Sequence, residues 1–207
     1  DEIFDFLVKN YRKYEEIVGK EKIQDFILGV YNNYIISFCK NGKQDYKKHL
    51  ERVKGDLQPV YSDISFGSLS AFEAISLLSD GYYSLFRKDI NTFFEKMNQY
   101  FSGAEKALTV NDYTQPIEDL YTVYRGNLPE GANEKVIVWL DKALQYEMAA
   151  QLRTRLLYML GDCFNATGNP EKAKQSLNQA FVVSSGIEEV ELMKQLQNMI
   201  QEKLREL

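Results

Sequence analysis

The sequence predicts an all-α protein in which antiparallel helix pairs stack in a right-handed array. Apolar residues recur at helical spacing along most of the 207 residues. Glycines follow several of these periodic segments, as they do at helix C-termini. No segment alternates apolar and polar residues as a half-buried strand does, and the β-branched clusters at 136–138 and 181–183 lie inside longer helical patterns. We therefore expect eight to eleven helices and no strand.

Three helices are predicted in the N-terminal part, and a glycine follows each of them at or near its C-terminus. In the second helix, apolar side chains follow the i, i+3, i+4, i+7 series through four turns, as on a helix with one face in a core. The predicted helices and the glycines that follow them are 1–18 with Gly19, 21–40 with Gly42, and 45–54 with Gly55.

Two more helices are predicted over 69–86 and 90–101. Ser68 or Ser70 is the expected N-cap of the first, and Asp89 is the expected N-cap of the second. A glycine at 103 and a polar run at 109–112 then interrupt the helical pattern.

The segment 156–185 contains a helix-turn-helix pattern of large and small residues. Gly161 and Ala173 would let two antiparallel helices approach closely. Asn169 is the expected cap of the second helix, with Pro170 at its first position. The residues that define the pattern are Leu157, Leu160, Gly161, Phe164, Gly168, Ala173, Leu177 and Ala180.

This pattern resembles the tetratricopeptide (TPR) repeat, a 34-residue helix-turn-helix unit. The resemblance implies an α-solenoid that binds peptides in a concave groove lined by the first helix of each pair. Leu157 and Leu177 stand where the family usually has Trp and Phe, and the proline at the end of the repeat is absent.

A weaker copy of the pattern lies at 114–147. Residues 111–207 are therefore interpreted as TPR-like repeats with a capping helix at 188–207. Residues 1–110 are interpreted as a helical region of degenerate repeats, continuous with the same solenoid. The correspondences are Ile117, Leu120 and Tyr124 with Leu157, Leu160 and Phe164, and Val136, Leu140 and Ala143 with Ala173, Leu177 and Ala180.

Four residues on the first helix of the better repeat are the candidate binding site. Arg155, Tyr158, Asp162 and Asn165 recur about one turn apart, and we expect them to point outward as one stripe. Polar and aromatic side chains of this kind suit a protein or peptide segment. An ordinary solvated face is the alternative. Phe164, by contrast, is expected to lie in the core.

The composition excludes several functional classes. Lys and Arg number 25 and Asp and Glu 30, a net charge of −5, with no clustered basic stripe for a phosphate backbone. No apolar run approaches the roughly 18–20 residues that cross a bilayer. We expect no nucleic-acid partner and no membrane insertion.

Few side chains are available for catalysis. Cys39 and Cys163 are far apart in the sequence, and His49 is the single histidine. No CxxC pair, His-based triad or clustered metal site can be drawn from them, so no catalytic residue, cofactor or metal is predicted. Both cysteines are expected to be buried free thiols.

The run from Phe4 to Lys22 resembles helical regions downstream of the thioredoxin domain in exported Bacteroidetes proteins of the thiol:disulfide interchange or isomerase-like kind. The activity of that family lies in a CxxC motif, which is absent here, so the resemblance implies a non-catalytic accessory region. The chain starts at Asp1, not Met, as expected of a processed or excised piece. A periplasmic or exported location follows, with the cytoplasm as the alternative. The alternative function is an enzyme whose carboxylates and tyrosines converge only in three dimensions.

Overall fold

The computed structural model describes residues 2–43, 45–62 and 64–207, without the side chains of Ile3, Phe4, Val53, Asp56 and Tyr61. Within these residues there are eleven α-helices, one 3₁₀ helix and one small hairpin. The predicted all-α class is confirmed, and the clusters at 136–138 and 181–183 are helical. The chain divides into two compact units, Asp1–Leu108 and Thr109–Leu207.

The first unit packs its helices around a core of large apolar side chains. Helix α5 contacts both α3 and α6, and α3 also contacts α2 and α4. The core includes Ile27, Ile35, Leu57, Ile75, Leu85, Phe93 and Met97, all nearly or fully buried. The elements are α1 (Glu2–Lys9), α2 (Tyr11–Val18), α3 (Lys20–Lys40), α4 (Tyr46–Tyr61), β1 (Ser65–Phe66), β2 (Leu69–Ser70), α5 (Ala71–Phe86), α6 (Ile90–Ala104) and the 3₁₀ helix Glu105–Ala107.

The helix predicted over 1–18 is interrupted at Asn10. The side-chain amide of Asn10 donates a hydrogen bond of 2.8 Å to the carbonyl oxygen of Phe6. Asparagine competes with the helical backbone in this way and favours turns over helix interiors. Two short helices result, and Asp1 and the side chain of Phe4 lie outside the described residues.

Helix α4 continues past the predicted stop at Gly55 and ends at Tyr61. Leu57 and Val60, beyond the glycine, are 0% and 1% exposed. Burial of each such side chain stabilises by about 1.5–3 kcal/mol, which outweighs the roughly 1 kcal/mol that glycine costs in a helix. The stop prediction was wrong because tertiary burial overrides local propensity. Val53, predicted on the apolar face, has no described side chain.

A two-stranded hairpin, not predicted from the sequence, precedes α5. Phe66 pairs with Leu69 across a two-residue turn that begins at Gly67, whose φ is +60°. Glycine at the first turn position is typical of tight hairpins. The backbone N–H of Ser68 donates to the carbonyl of Gly103 in α6 at 2.8 Å. Each strand has only two residues, too few to show alternation.

The predicted N-caps of α5 and α6 are confirmed. Ser70 accepts a hydrogen bond from the backbone N–H of Glu73, and the Glu73 carboxylate accepts one from the Ser70 N–H, forming a capping box. Asp89 accepts a hydrogen bond from the N–H of Thr92. The hydrogen bonds that Glu73 accepts from Ser70, and those that Asp89 accepts from Thr92, lower the pKa of the two carboxyl groups.

The second unit is a series of helices that each pack on the next. Helix α9 packs on α8 and α10, and α11 packs on both α10 and α9. The elements are α7 (Val110–Tyr124), α8 (Ala132–Ala143), α9 (Ala150–Ala166), α10 (Pro170–Ser184) and α11 (Val190–Glu206).

Six pairs of corresponding positions in the two sequence repeats have the same burial, whereas Gly161 is buried and its counterpart Tyr121 is half-buried. The matched aliphatic and small residues are all at most 5% exposed, whereas Tyr124 and Phe164 are both half-buried. Phe164 is therefore not the core residue that the sequence predicted, and the Lys172 ammonium lies 5.4 Å from its ring centre. The buried pairs are Ile117 and Leu157, Leu120 and Leu160, Val136 and Ala173, Leu140 and Leu177, and Ala143 and Ala180.

The close approach of α9 and α10 lies where the sequence predicted it. A Cβ atom on Gly161 would lie 2.8 Å from Cγ of Leu177 and 3.3 Å from the carbonyl oxygen of Ala173. Pro170 begins α10, as predicted. Asn169 does not cap the helix; its amide donates instead to the carbonyl of Thr167 at 3.1 Å.

Candidate functional site

Arg155, the first residue of the predicted binding stripe, is exposed on α9. Its Nη2 atom lies 2.8 Å from Oε1 of Glu118 on α7. Half of the Arg155 side chain and about a third of the Glu118 side chain remain accessible. An exposed pair of this kind contributes at most about 1 kcal/mol, so Arg155 remains available to a ligand.

Tyr158 does not point freely outward. It is half-buried and packs against the apolar cluster of α9, α10 and α11 formed by Leu157, Leu177, Ala180 and Ile200. Burial raises the pKa of its hydroxyl. The prediction of an outward side chain was wrong because α11 covers this position. Tyr158→Ala would consequently disturb packing, so it is not a clean test of binding.

Asp162 is also engaged by α11. Its Oδ1 atom lies 2.8 Å from Nζ of Lys203, and both side chains are less than a third exposed. The hydrogen bond to Asp162 raises the pKa of Lys203. A second carboxylate, Glu206, lies 3.8 Å from the same ammonium. The free, outward carboxylate predicted from the sequence is therefore an ion pair between two helices.

Asn165 is exposed and lies beside Asp162 at the edge of an open recess of about 340 Å³. The side-chain amides of Asn127, Asn133 and Asn165 make no hydrogen bond to the described part of the chain. Of the four predicted residues, the recess brings together Asp162 and Asn165 and leaves out Arg155 and Tyr158. Its lining is Tyr121, Gly126, Asn127, Leu128, Asn133, Asp162, Asn165, Ala166 and Lys203.

Seven of the nine residues that line the recess were missed from the sequence, among them Lys203 and Tyr121. Lys203 belongs to the capping helix, which carries no repeat motif, and only the packing of α11 brings it to α9. Tyr121 lies 40 residues before Gly161, the same offset that relates Leu120 to Leu160, so a large side chain stands where the better repeat has glycine. The Tyr121 hydroxyl lies 3.2 Å from Sγ of Cys163, with which it shares a hydrogen bond.

The two thiols are buried and unpaired, as predicted. Burial raises the pKa of Cys39 to about 12 and that of Cys163 to about 11. A thiol must ionise to attack a disulfide or to bind a metal. At neutral pH both sulfurs are therefore held as inert neutral thiols.

We expect the native chain to react slowly with a thiol-specific disulfide reagent at pH 8 and to release both thiols on unfolding in urea. An insulin-reduction assay should give the same rate for the chain and its Cys39→Ser/Cys163→Ser variant.

The free energy of unfolding should decrease as the pH rises from about 9 through 11–12. In this range the thiols of the unfolded chain ionise, because their pKa is near 8.5, whereas the buried thiols of the folded chain stay protonated. Rapid native labelling of either thiol would contradict the burial described here.

Tyr46 and Tyr121, which contact an acid and a thiol respectively, are held neutral as well. In the first unit the Tyr46 hydroxyl donates to Asp80, and burial together with this bond raises its pKa. Burial likewise raises the pKa of Tyr121. A hydroxyl with a raised pKa is a hydrogen-bond donor at neutral pH and not a base. These contacts serve as structural hydrogen bonds between helices.

The comparisons with known proteins do not classify this chain. No family model, no curated protein and no solved structure matches it. None of the described helices is both long and apolar enough to span a bilayer. The same residues contain no group of three or more side chains suited to hold a metal ion.

Proposed function

We propose that this chain is a non-catalytic helical-repeat module that binds a polypeptide segment through the recess around Asn165. The observation that carries the proposal is that alternate helices α7, α9 and α11 each contribute to one open recess. Their contributions are Tyr121 from α7, Asp162 and Asn165 from α9, and Lys203 from α11.

The chemistry of the recess favours main-chain recognition. A side-chain amide offers one acceptor and two donors, which complement the N–H and C=O groups of a polypeptide. Three amides without a partner in the described chain surround the Asp162–Lys203 pair. The Lys203 ammonium, the one cation among the lining residues, is already paired with the Asp162 carboxylate. The recess therefore has no free positive charge to select an acidic ligand. A segment recognised mainly by its backbone fits these groups best.

We further propose that the second unit belongs to the TPR-like class of α-solenoids. The matched burial of the two helix pairs and the close approach at Gly161 support this assignment. Contacts between alternate helices, such as Arg155–Glu118 and Asp162–Lys203, support it as well. An accessory role beside a thioredoxin-like domain of an exported protein is part of the proposal, and the inert thiols agree with a non-catalytic role.

A displayed library of random, unstructured peptides tests the proposal. The full chain should enrich peptides whose affinity falls about tenfold or more in the Asn133→Ala/Asn165→Ala variant, because each lost amide removes hydrogen bonds at the site. Asn198→Ala, an exposed amide on α11, is the matched control and should bind as the original chain does. Failure to enrich any peptide, or equal binding by the recess variant, would reject the proposal.

A further inference from the structure

Helix α3 in the first unit leaves a row of large apolar side chains exposed. Phe26, Val30 and Tyr34 follow one another at one-turn spacing and are 57%, 37% and 44% exposed. Among the described residues, six of the ten exposed large hydrophobic side chains lie on α1, α2 and α3. Single exposed apolar side chains are ordinary, whereas a continuous row of them marks an interaction surface. Gly29 lies beside the row, and a Cβ there would meet no atom within 4 Å, so a ligand can approach the α3 backbone closely.

The C-terminal end of this row continues into aromatic rings and lysines. The Tyr34 ring lies 4.8 Å from the Phe38 ring, and the Lys43 ammonium lies 5.1 Å from the centre of the Phe38 ring. On α4 the ring of His49 lies 4.5 Å from the same phenyl ring, and Lys48, the residue before it, is exposed. We call the surface formed by Phe26, Val30, Tyr34, Phe38, Lys43 and Lys48 the α3 face.

The lysine end of the α3 face is basic, although the whole chain has a net charge of −5. Residues 40–54 contain six Lys and Arg side chains and two acidic residues. One of these acids, Asp45, lies 3.7 Å from Nε2 of His49. Neither Lys43 nor Lys48 forms an ion pair with a described residue. Unpaired cations beside an exposed apolar row favour a ligand that is both apolar and acidic.

We propose that the α3 face binds an amphipathic helix of a partner polypeptide, with acidic side chains at one end of its apolar row. From Phe26 to Phe38 the row spans three turns, about 18 Å. Apolar side chains at one-turn spacing on a ligand helix can pack alongside such a row.

The polar groups of the α3 face favour a helical ligand over an extended one. An extended segment brings N–H and C=O groups that need partners, whereas a helix satisfies its own backbone. Beside the row, the Ser37 hydroxyl already donates a 2.6 Å hydrogen bond to the carbonyl oxygen of Tyr34. Asn33 is the exposed amide of this part of α3, and one amide cannot serve an extended backbone.

The charge at the opposite end of the row favours a polypeptide over other anionic partners. There α3 carries the exposed acids Glu21 and Asp25 together with Lys20 and Lys22, so this end has no excess of positive charge. A nucleic acid or an anionic bilayer would present negative charge along the whole row. A helical peptide, by contrast, can place its acids beside Lys43 and Lys48 alone.

Two labelled synthetic helices test this proposal on the full chain. Both are capped, alanine-based peptides with leucines at one-turn spacing. One carries glutamates after the leucine row, and the other carries lysines at the same positions. Fluorescence anisotropy at low ionic strength should show binding of the glutamate helix and at least about tenfold weaker binding of the lysine helix. Oligothymidylate and phosphatidylserine vesicles should both bind more weakly than the glutamate helix.

Two variants of the α3 face separate the charged and apolar contributions. Lys43→Glu/Lys48→Glu should weaken binding of the glutamate helix about tenfold or more and strengthen binding of the lysine helix. Val30→Asp, in the middle of the row, should weaken binding of the glutamate helix about tenfold or more. All these side chains are exposed, so circular dichroism should show unchanged helix content.

Matched controls place the same changes on the second unit. Lys142→Glu/Lys174→Glu and Val182→Asp, all at exposed positions, should bind the glutamate helix as the original chain does. The recess variant Asn133→Ala/Asn165→Ala should also leave this binding unchanged, which separates the two sites. The proposal would be overturned by no binding of the glutamate helix, by equal binding of the lysine helix or by equal binding to the α3 variants. Tighter binding of the oligonucleotide or the vesicles would overturn it as well.

Discussion

Gly161→Leu is expected to destabilise the second unit by about 3 kcal/mol. A Cβ atom at this position would already lie 2.8 Å from Cγ of Leu177 and 3.3 Å from the carbonyl oxygen of Ala173. Overpacking in a core typically costs about 1–3 kcal/mol, and the upper part of that range applies where a backbone atom limits the relief. Thermal unfolding followed by circular dichroism should show a lowered midpoint, by about 4–8 °C for each kcal/mol.

Two controls locate the cause of this effect. Ala166→Leu, on the exposed end of the same helix, should change stability by less than about 0.5 kcal/mol. Leu177→Ala alone should cost about 2–5 kcal/mol as a core cavity. The double variant Gly161→Leu/Leu177→Ala should lose less than the sum of the single losses, because the truncated side chain leaves room for the new leucine. A Gly161→Leu midpoint equal to that of the original chain would show that α9 and α10 are not so close.

Gly67→Ala is expected to destabilise the first unit by about 2–5 kcal/mol. The added Cβ would lie 2.4 Å from the carbonyl oxygen of Gly103 and 2.7 Å from that of Ala104. Both atoms belong to the backbone of α6, so no side-chain rotation relieves the conflict. The φ of +60° adds about 1–2 kcal/mol for a residue that carries a Cβ. The hairpin should separate from α6, with loss of the Ser68 N–H bond to Gly103.

Hydrogen exchange at the Ser68 amide and the unfolding midpoint together test this expectation. Gly29→Ala is the matched control, since Gly29 lies inside α3 and a Cβ there would meet no atom within 4 Å. That variant should gain about 0.5–1 kcal/mol from helix propensity. If Gly67→Ala were as stable as Gly29→Ala, the contact between the hairpin and α6 would be disproved.

Most of the helices could be predicted from the sequence, because apolar spacing and N-caps are patterns among residues close together in the chain. Apolar spacing located the helices. Ser68 or Ser70 and Asp89 were predicted as caps, because an N-cap acts within three residues of itself, and the structure selects Ser70. The repeat offsets identified equivalent positions such as Leu140 and Leu177, which are both fully buried. Gly161 was recognised as a contact point because two helices can approach closely only where side chains are small.

In the first unit the structure differs from the sequence predictions at three places, and each difference comes from an interaction that apolar spacing does not report. Asn10 ends a helix through a bond from its own side chain to a carbonyl one turn earlier. Gly55 does not end α4, because residues after it are buried by other helices. The hairpin at Gly67 depends on a backbone contact with Gly103, which is distant in the sequence.

The sequence by itself determined that the chain is helical and that its two cysteines, Cys39 and Cys163, are buried free thiols. The tertiary structure alone decided which face of α9 is accessible. Helical spacing places Tyr158 and Asp162 on one stripe, but the docking of α11 covers Tyr158 and pairs Asp162 with Lys203. Periodicity along one helix reports which residues share a face. Whether that face meets solvent depends on a helix some forty residues away, because exposure is a property of the packed assembly of helices.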